Sequence, residues 1–174
     1  MILTGNEIKE RLGSDIIIDP FEEEHLNPNS YNLSLSNQLK VYKDFPLDAK
    51  KENSTMLIEM PEDGFLLEPG RLYLASTNEY TETRNLVPRL DGRSSIGRLG
   101  IFVHVTAGFG DIGFRGYWTL ELACWHPVVI YPNMRICQIS FHQVCGNPSI
   151  NYSGRYQDAK TKEPQESRLH QTLP

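Results

Sequence analysis

Hydrophobic and polar positions change rhythm early in the chain. Ile8 and Leu12 lie four apart, the spacing of one helical face, behind Thr4-Gly5-Asn6-Glu7, which reads as a capping box. Gly13 can stop that helix. After Pro28 the period falls to two: Leu33 and Leu35, then Leu39 and Val41, alternate with polar neighbours. Further strands are predicted over residues 56–60, 65–67, 72–76, 101–106, 117–123, 128–131 and 136–144. Turn signals separate them at Glu68-Pro69-Gly70, Asp91-Gly92, Ile112-Gly113 and Tyr131-Pro132-Asn133. Many short strands at this spacing predict a mostly β, antiparallel sandwich or barrel rather than βαβ units. Residues 94–99, closed by Gly100, read as one short internal helix. From about Ser153 the chain turns polar, so it divides into a β domain over 1–152 and a flexible C-terminal tail over 153–174 that orders on a ligand.

Composition narrows the classes of function. A chain of 174 residues, 39% hydrophobic and 22% charged, has the length and balance of one soluble domain with a real core. Its net charge of −5 argues against a nucleic-acid polymer or a membrane surface as partner, since both call for a basic footprint. Met1-Ile2-Leu3-Thr4 lacks the features of a signal peptide, and no run approaches the ~20 apolar residues of a membrane span, so a cytoplasmic protein is predicted. Cys124, Cys137 and Cys145 form no C-x-x-C pair and read as reduced, mostly buried thiols. The H-x-E and P-C-x-x-C elements of zinc nucleobase deaminases are missing.

One region concentrates groups able to do chemistry. In Tyr117-Trp118-Thr119-Leu120-Glu121-Leu122-Ala123, alternation puts Trp118, Leu120 and Leu122 on a core face. Tyr117, Thr119, Glu121 and Ala123 take the other, where a carboxylate held by a strand suits general acid–base work or is simply solvated. Arg93-Ser94-Ser95-x-x-Arg98 offers guanidiniums and hydroxyls at a helix start, fit for phosphate oxygens or for an ordinary helix cap. Asp111 lies in the turn Gly108-Phe109-Gly110-Asp111-Ile112-Gly113, where glycines permit close approach of a ligand. His104, within the alternating set Phe102, His104 and Thr106, reads as a packed, hydrogen-bonded histidine. Gln138 interrupts an apolar run and either lines a pocket or pairs with backbone. Tyr152, Arg155 and Tyr156 stand at the root of the tail, to anchor it or to close it over a nucleotide.

Taken together, Arg93-Ser94-Ser95-x-x-Arg98-Leu99-Gly100, His104-x-Thr106-Ala107-Gly108-Phe109-x-Asp111-x-Gly113-Phe114-x-Gly116 and Thr119-Leu120-Glu121 resemble the dCTP deaminase family of the trimeric dUTPase superfamily. The likeness extends to Met1-Ile2-Leu3-Thr4, Gln138, Tyr152 and Gly154-Arg155-Tyr156-Gln157. It implies a dUTPase-like distorted barrel or jelly-roll with a few short helices, assembled as a homotrimer with active sites between subunits. It implies conversion of dCTP and water to dUTP and ammonia without zinc, with Mg2+ bound through the triphosphate and no metal ligands on the protein. Glu121 would be the general base, Ser94 and the Thr106-Ala107 backbone would position water and base, and Arg98 would orient the Glu121 carboxylate. Arg93, Ser94, Ser95 and Arg98 would serve the triphosphate, Asp111 the 3′-hydroxyl, and Tyr152 and the tail would cover the substrate. Thr119, Leu120, Gln138 and Arg155 complete the implied substrate contacts.

The form Thr106-Ala107-Gly108-Phe109-x-Asp111 resembles members that go on to cleave dUTP to dUMP and pyrophosphate. The family also makes dTTP a candidate inhibitor. A plain dUTPase, or a non-catalytic barrel that binds nucleotides as a regulator, are the alternatives. This chain departs from the family pattern at Asn32, where Asp is commoner, and at Gly110, which replaces a branched residue and is expected to loosen its turn. It departs also at Arg155 in place of Lys and at Ala159 where a tail glutamine is expected.

Overall fold

The two-residue alternation that begins after Pro28 becomes the longest strand of the molecule. The computed structural model describes residues 1–104, 106–148, 150–158 and 160–173. In chain order the elements are α1 (Gly5–Glu10), β1 (Ile16–Asp19), β2 (Tyr31–Tyr42), β3 (Thr55–Glu59), β4 (Phe65–Leu67), β5 (Tyr73–Thr83) and β6 (Leu86–Gly92). There follow α2 (Ser94–Gly97), β7 (Ile101–Phe102), β8 (Arg115–Cys124), β9 (Val128–Ile130) and β10 (Arg135–Gln143). Short 3₁₀ turns occupy Glu23–His25 and Leu169–Gln171. The main sheet runs β6-β10-β2-β5-β8-β7, with β1 paired to β5 and β3 to β2, and it curls into a nearly closed barrel. A separate ribbon pairs β4 with β9. The predicted mostly β fold with short helices is the fold observed.

Local chemistry explains where the reading held. Thr4 caps α1, its Oγ1 accepting from the Glu7 N–H at 3.3 Å. The return half of the capping box does not form, because Glu7 Oε1 instead takes Arg11 Nε at 2.7 Å. Cys124 and Cys137 are buried free thiols and Cys145 is an exposed one. Two strands escaped the pattern. β1 is four residues long, and β6 carries Pro88 and runs through Asp91-Gly92, which had looked like a turn. Gly92 instead pairs with Cys137 at the end of the β6–β10 ladder. The strand expected over 101–106 is also corrected: it stops at Phe102, and His104 takes a left-handed φ of 55°.

β5 sits between β2 and β8, and its register fixes the direction of everything on β8. Leu74 faces Glu121 and Ser76 faces Thr119, yet the next pair is Tyr80 with Tyr117, so three residues of β5 oppose Trp118 alone. The register with β2 slips at the same place. Side chains stitch this bulge. Thr77 Oγ1 donates to the Glu79 carbonyl at 3.0 Å and accepts from the Trp118 N–H at 3.1 Å. Glu79, 2% exposed, turns its carboxylate onto Ser34, accepting from the N–H at 2.9 Å and from Oγ at 2.7 Å. Beyond the bulge, Trp118, Leu120 and Leu122 enter a core shared with Leu33, Leu35, Ile139 and Phe141. Fully burying such side chains contributes about 1.5–3 kcal/mol each, enough to hold the opposite face of β8 outward.

Burial raises the pKa of Glu79 against the Ser34 hydrogen bonds that oppose the rise. A carboxyl with an elevated folded pKa contributes stability that is complete below its unfolded value of about 4.3 and is lost as pH rises through the folded one. Glu79→Gln should therefore flatten the dependence of the denaturant midpoint on pH from the acid side up to neutrality. Wild-type and variant curves that stay parallel would exclude this charge as the source.

Candidate active site

On the outward face of β8, Tyr117, Thr119 and Glu121 form part of the floor of a cavity of about 460 Å³. β5 supplies Leu74 beside Glu121, and Tyr42 closes one side from the end of β2. Phe114 and Trp118 form an aromatic wall with ring centroids 4.2 Å apart, and Tyr152 joins it 5.8 Å from Phe114. The loop after β7 brings in His104, Ala107, Phe109, Gly110 and Asp111. That loop is docked on β6: the Leu90 N–H donates to the Gly108 carbonyl at 2.7 Å, and a Cβ on Gly108 would lie 2.4 Å from the Leu90 carbonyl oxygen. Gly110 is buried, where a Cβ would meet Trp118 and Pro88 at 2.7 and 2.8 Å. The expected loosening at Gly110 is thus corrected: the large ring of Trp118 fills the space a side chain would need.

Glu121 is the centre of this geometry. Its side chain is one-third exposed, and Oε2 lies 2.5 Å from His104 Nδ1, whose own side chain is 7% exposed. A carboxylate has no proton to give, so the imidazole N–H is the donor. The left-handed backbone at His104 swings its ring back onto β8, against Trp118 at 6.5 Å. The packed, hydrogen-bonded histidine was legible; its partner was not, because that contact depends on a backbone reversal rather than on strand alternation.

Of the residues singled out from the sequence, Glu121, His104, Thr119, Ala107, Asp111, Tyr152 and Tyr156 line this one cavity. Leu120 does not, since its side chain is wholly buried in the core and only its main chain could reach a ligand. Arg93, Ser94, Ser95 and Arg98 lie at α2, outside the lining. Ser94, Ser95 and Arg98 are exposed, while Arg93 donates to the Arg135 carbonyl at 2.9 Å. Thr106 is exposed beside the cavity loop. Gln138 is engaged elsewhere, its Oε1 accepting from Ser30 Oγ at 2.7 Å and its Nε2 donating to the Gly92 carbonyl at 3.2 Å. Arg155 turns to the tail, donating to the Arg168 carbonyl at 2.8 Å and to Thr172 Oγ1 at 2.9 Å. Asn32 is buried and donates to Asn27 Oδ1 at 3.3 Å, while Ala159 lies outside the described residues.

Gln165, Glu166 and Ser167 of the tail also line the cavity; the resemblance implies a tail that covers the substrate, but singles out none of these three residues for it. The lining therefore contains three carboxylates, from Asp111, Glu121 and Glu166, and no lysine or arginine among its described residues. No helix among the described residues is long and apolar enough to cross a membrane.

Comparison with known proteins bears on the family and the fold. The dCTP deaminase-like family model matches residues 2–144. A protein of Clostridium beijerinckii named dCTP deaminase, dUMP-forming, is 58% identical over 164 residues, covering 94% of this chain and 95% of that one. One of the same name from Leptospira biflexa is 59% identical over 164 residues, 94% of each chain. Among solved structures, 2′-deoxycytidine 5′-triphosphate deaminase from Agrobacterium tumefaciens shares the fold with a TM-score of 0.65 at 20% identity. That match takes in 82% of this chain and 48% of the other, so this chain spans about half of that longer protein. A β-barrel cavity floored by Glu121, a family model covering most of the residues and relatives near 58% identity together show that this chain belongs to the dCTP deaminase-like family.

Proposed function

We propose that this enzyme hydrolyses dCTP to dUTP and ammonia without zinc, and then hydrolyses dUTP to dUMP and pyrophosphate. The observation that carries the reading is Glu121, held by a strand at the floor of a cavity large enough for a nucleotide, with Asp111 and Tyr152 in the same lining. The names of the Clostridium and Leptospira relatives point to the same pair of reactions. Glu121 would take a proton from water as its oxygen bonds to C4 of cytosine. It would pass that proton to the amine as the C4–N bond breaks and ammonia leaves. A positioned base of this kind contributes about 10²–10⁴-fold. His104 fixes the carboxylate on one side and leaves its other oxygen for the water. Asp111 would accept from the 3′-hydroxyl, and the wall of Phe114, Trp118 and Tyr152 would exclude solvent.

The zinc-free reading rests on the resemblance and on the missing H-x-E and P-C-x-x-C elements; Cys124, Cys137 and Cys145 lie outside the cavity. Its oxygen donors suit magnesium, which keeps waters and phosphate oxygens as ligands and needs few from protein. When bound, magnesium would neutralise triphosphate oxygens and favour attack at phosphorus in the second reaction.

A cavity with three carboxylates and no lysine or arginine is a poor home for a triphosphate. The guanidiniums and hydroxyls of Arg93, Ser94, Ser95 and Arg98 stand apart from it in the same chain. The exposed positions of Ser94, Ser95 and Arg98 favour a homotrimer in which α2 of one subunit completes the cavity of the next. A cytoplasmic nucleotide enzyme fits the reading, with dTTP expected to compete at the same site.

Incubation with magnesium and dCTP should release ammonia and accumulate dUMP and pyrophosphate. Ammonia with dUTP as the end product would confine the activity to deamination, and cleavage of dUTP alone would leave a plain dUTPase. Glu121→Gln should lower ammonia release by about 10²–10⁴-fold while nucleotide binding persists; near-normal turnover in that variant would sink the assigned base. Mixing Glu121→Gln subunits with Arg98→Ala subunits, each inactive alone, should rebuild about a quarter of the sites if cavities are shared in a trimer. Mixtures as inactive as their components would place the whole site in one chain.

A further inference from the structure

The tail walls the cavity with residues 165–167, and one buried cation holds it there. Leu39 and Val41 enter the core, so Lys40 between them points to the outer face of β2. Lys40 stands opposite Leu74, and Leu74 opposite Glu121, so the three share one row on one face of β2, β5 and β8. Two strand spacings put Lys40 about 10 Å from Glu121 along that row. A lysine on an outer face is ordinarily solvated, yet Lys40 is only 8% exposed. The tail lies over it: Lys40 Nζ is 2.7 Å from both Glu163 Oε1 and Glu166 Oε2. Burial alone would lower the pKa of Lys40, yet hydrogen bonds and charge from the two glutamates hold it above the ordinary value. Burial works to raise the pKa of Glu166, and Lys40 overrides it, so that carboxyl stays below the usual range. The grip is between full charges.

Neutral contacts flank it. Ser76 Oγ donates to the Lys162 carbonyl. The Gln165 N–H donates to Thr119 Oγ1, and the Ser167 N–H to the Tyr42 hydroxyl oxygen, each at 3.0 Å. Charge-assisted hydrogen bonds are about twice as strong as neutral ones, so Lys40, which makes two, is the largest single restraint on the tail. Every partner named belongs to the chain itself, so the tail is held without help from a nucleotide. Gln165 engages Thr119, and Glu166 sets a carboxylate in the cavity wall. A polyanion entering beside them therefore calls for the tail to move.

We propose that Lys40 is a positioning residue for the reaction: its grip on Glu163 and Glu166 holds residues 163–167 shut beside Glu121, and release of that grip gates entry of dCTP and exit of product. The inference rests on the deaminase reading. It differs from a tail that orders only on a ligand, since this strap is closed between turnovers and opens to exchange nucleotide. The same grip holds whether the cavity is filled or free, so it raises the barrier to exchange in both directions and leaves affinity little changed.

The strap is tested by amide hydrogen exchange in the full-length protein without nucleotide. The Gln165 and Ser167 amides should be protected, and Lys40→Met should speed their exchange by about tenfold or more. Glu163→Gln combined with Glu166→Gln leaves β2 untouched and should do the same. Equal exchange in wild type and both variants would overturn the proposal. The gate is tested by stopped-flow binding of dCTP with magnesium, in a Glu121→Gln parent that does not consume it. Adding Lys40→Met should raise association and dissociation rates together, each by about tenfold, with Kd kept within about threefold. A rise in dissociation alone would make Lys40 an ordinary affinity contact, and a fall in association alone a steering charge; either overturns the gate. A parent that binds no dCTP would overturn the deaminase reading, a failure distinct from a parent that binds it at rates Lys40 does not change.

Discussion

The carboxylate of Glu79 on Ser34 is the contact on which the geometry depends. It is buried, it carries an elevated pKa, and it lies inside the interruption between β2, β5 and β8. A side-chain period of two means that a slip of one residue would exchange the faces of β8. Leu120 would then meet the cavity and Glu121 the core. Thr77 and Asn78 share the task, since Thr77 Oγ1 accepts from the Trp118 N–H and Asn78 Nδ2 donates to the Leu35 carbonyl at 3.0 Å. An unsatisfied carboxylate there would be expensive, so the bulge holds one arrangement rather than several.

How much could be read from residues alone follows from the range of the interactions. The strict alternation of β8 gave away both its faces and the outward direction of Glu121, and the burial of Trp118, Leu120 and Leu122 follows it. Thr4 and the start of α1 are equally local. β6 was missed because Pro88 and Asp91-Gly92 are turn signals by composition, while its strand character comes from pairing with β10. His104 was read as packed, but its partner depends on a left-handed residue that ends β7 early. Leu74 and Tyr42 reach the cavity only through long-range pairing. Gln165 and Glu166 arrive through a tail whose anchors, Lys40 and Thr119, lie far away in the chain.

The electrostatics of the cavity divide its work. Carboxylates from three separate segments converge in one cavity, where the proposed reaction needs water activated and a sugar held. The cations are placed elsewhere: Lys40 is committed to the tail, Arg93 to a main-chain carbonyl, and Arg98 is exposed. A cavity so arranged suits the neutral base and deoxyribose of the proposed substrate, whereas a polyanion calls for charge from outside it.

The strand that carries Glu121 is also a wall of the hydrophobic interior, with Leu120 and Leu122 on its reverse. Interior and chemistry are therefore two sides of one ribbon of backbone. A methylene lost or gained behind the carboxylate would tilt it by a fraction of an ångström, a displacement that matters to proton transfer long before it threatens folding. Selection for turnover in such an enzyme acts on its oily centre as directly as on its polar groups.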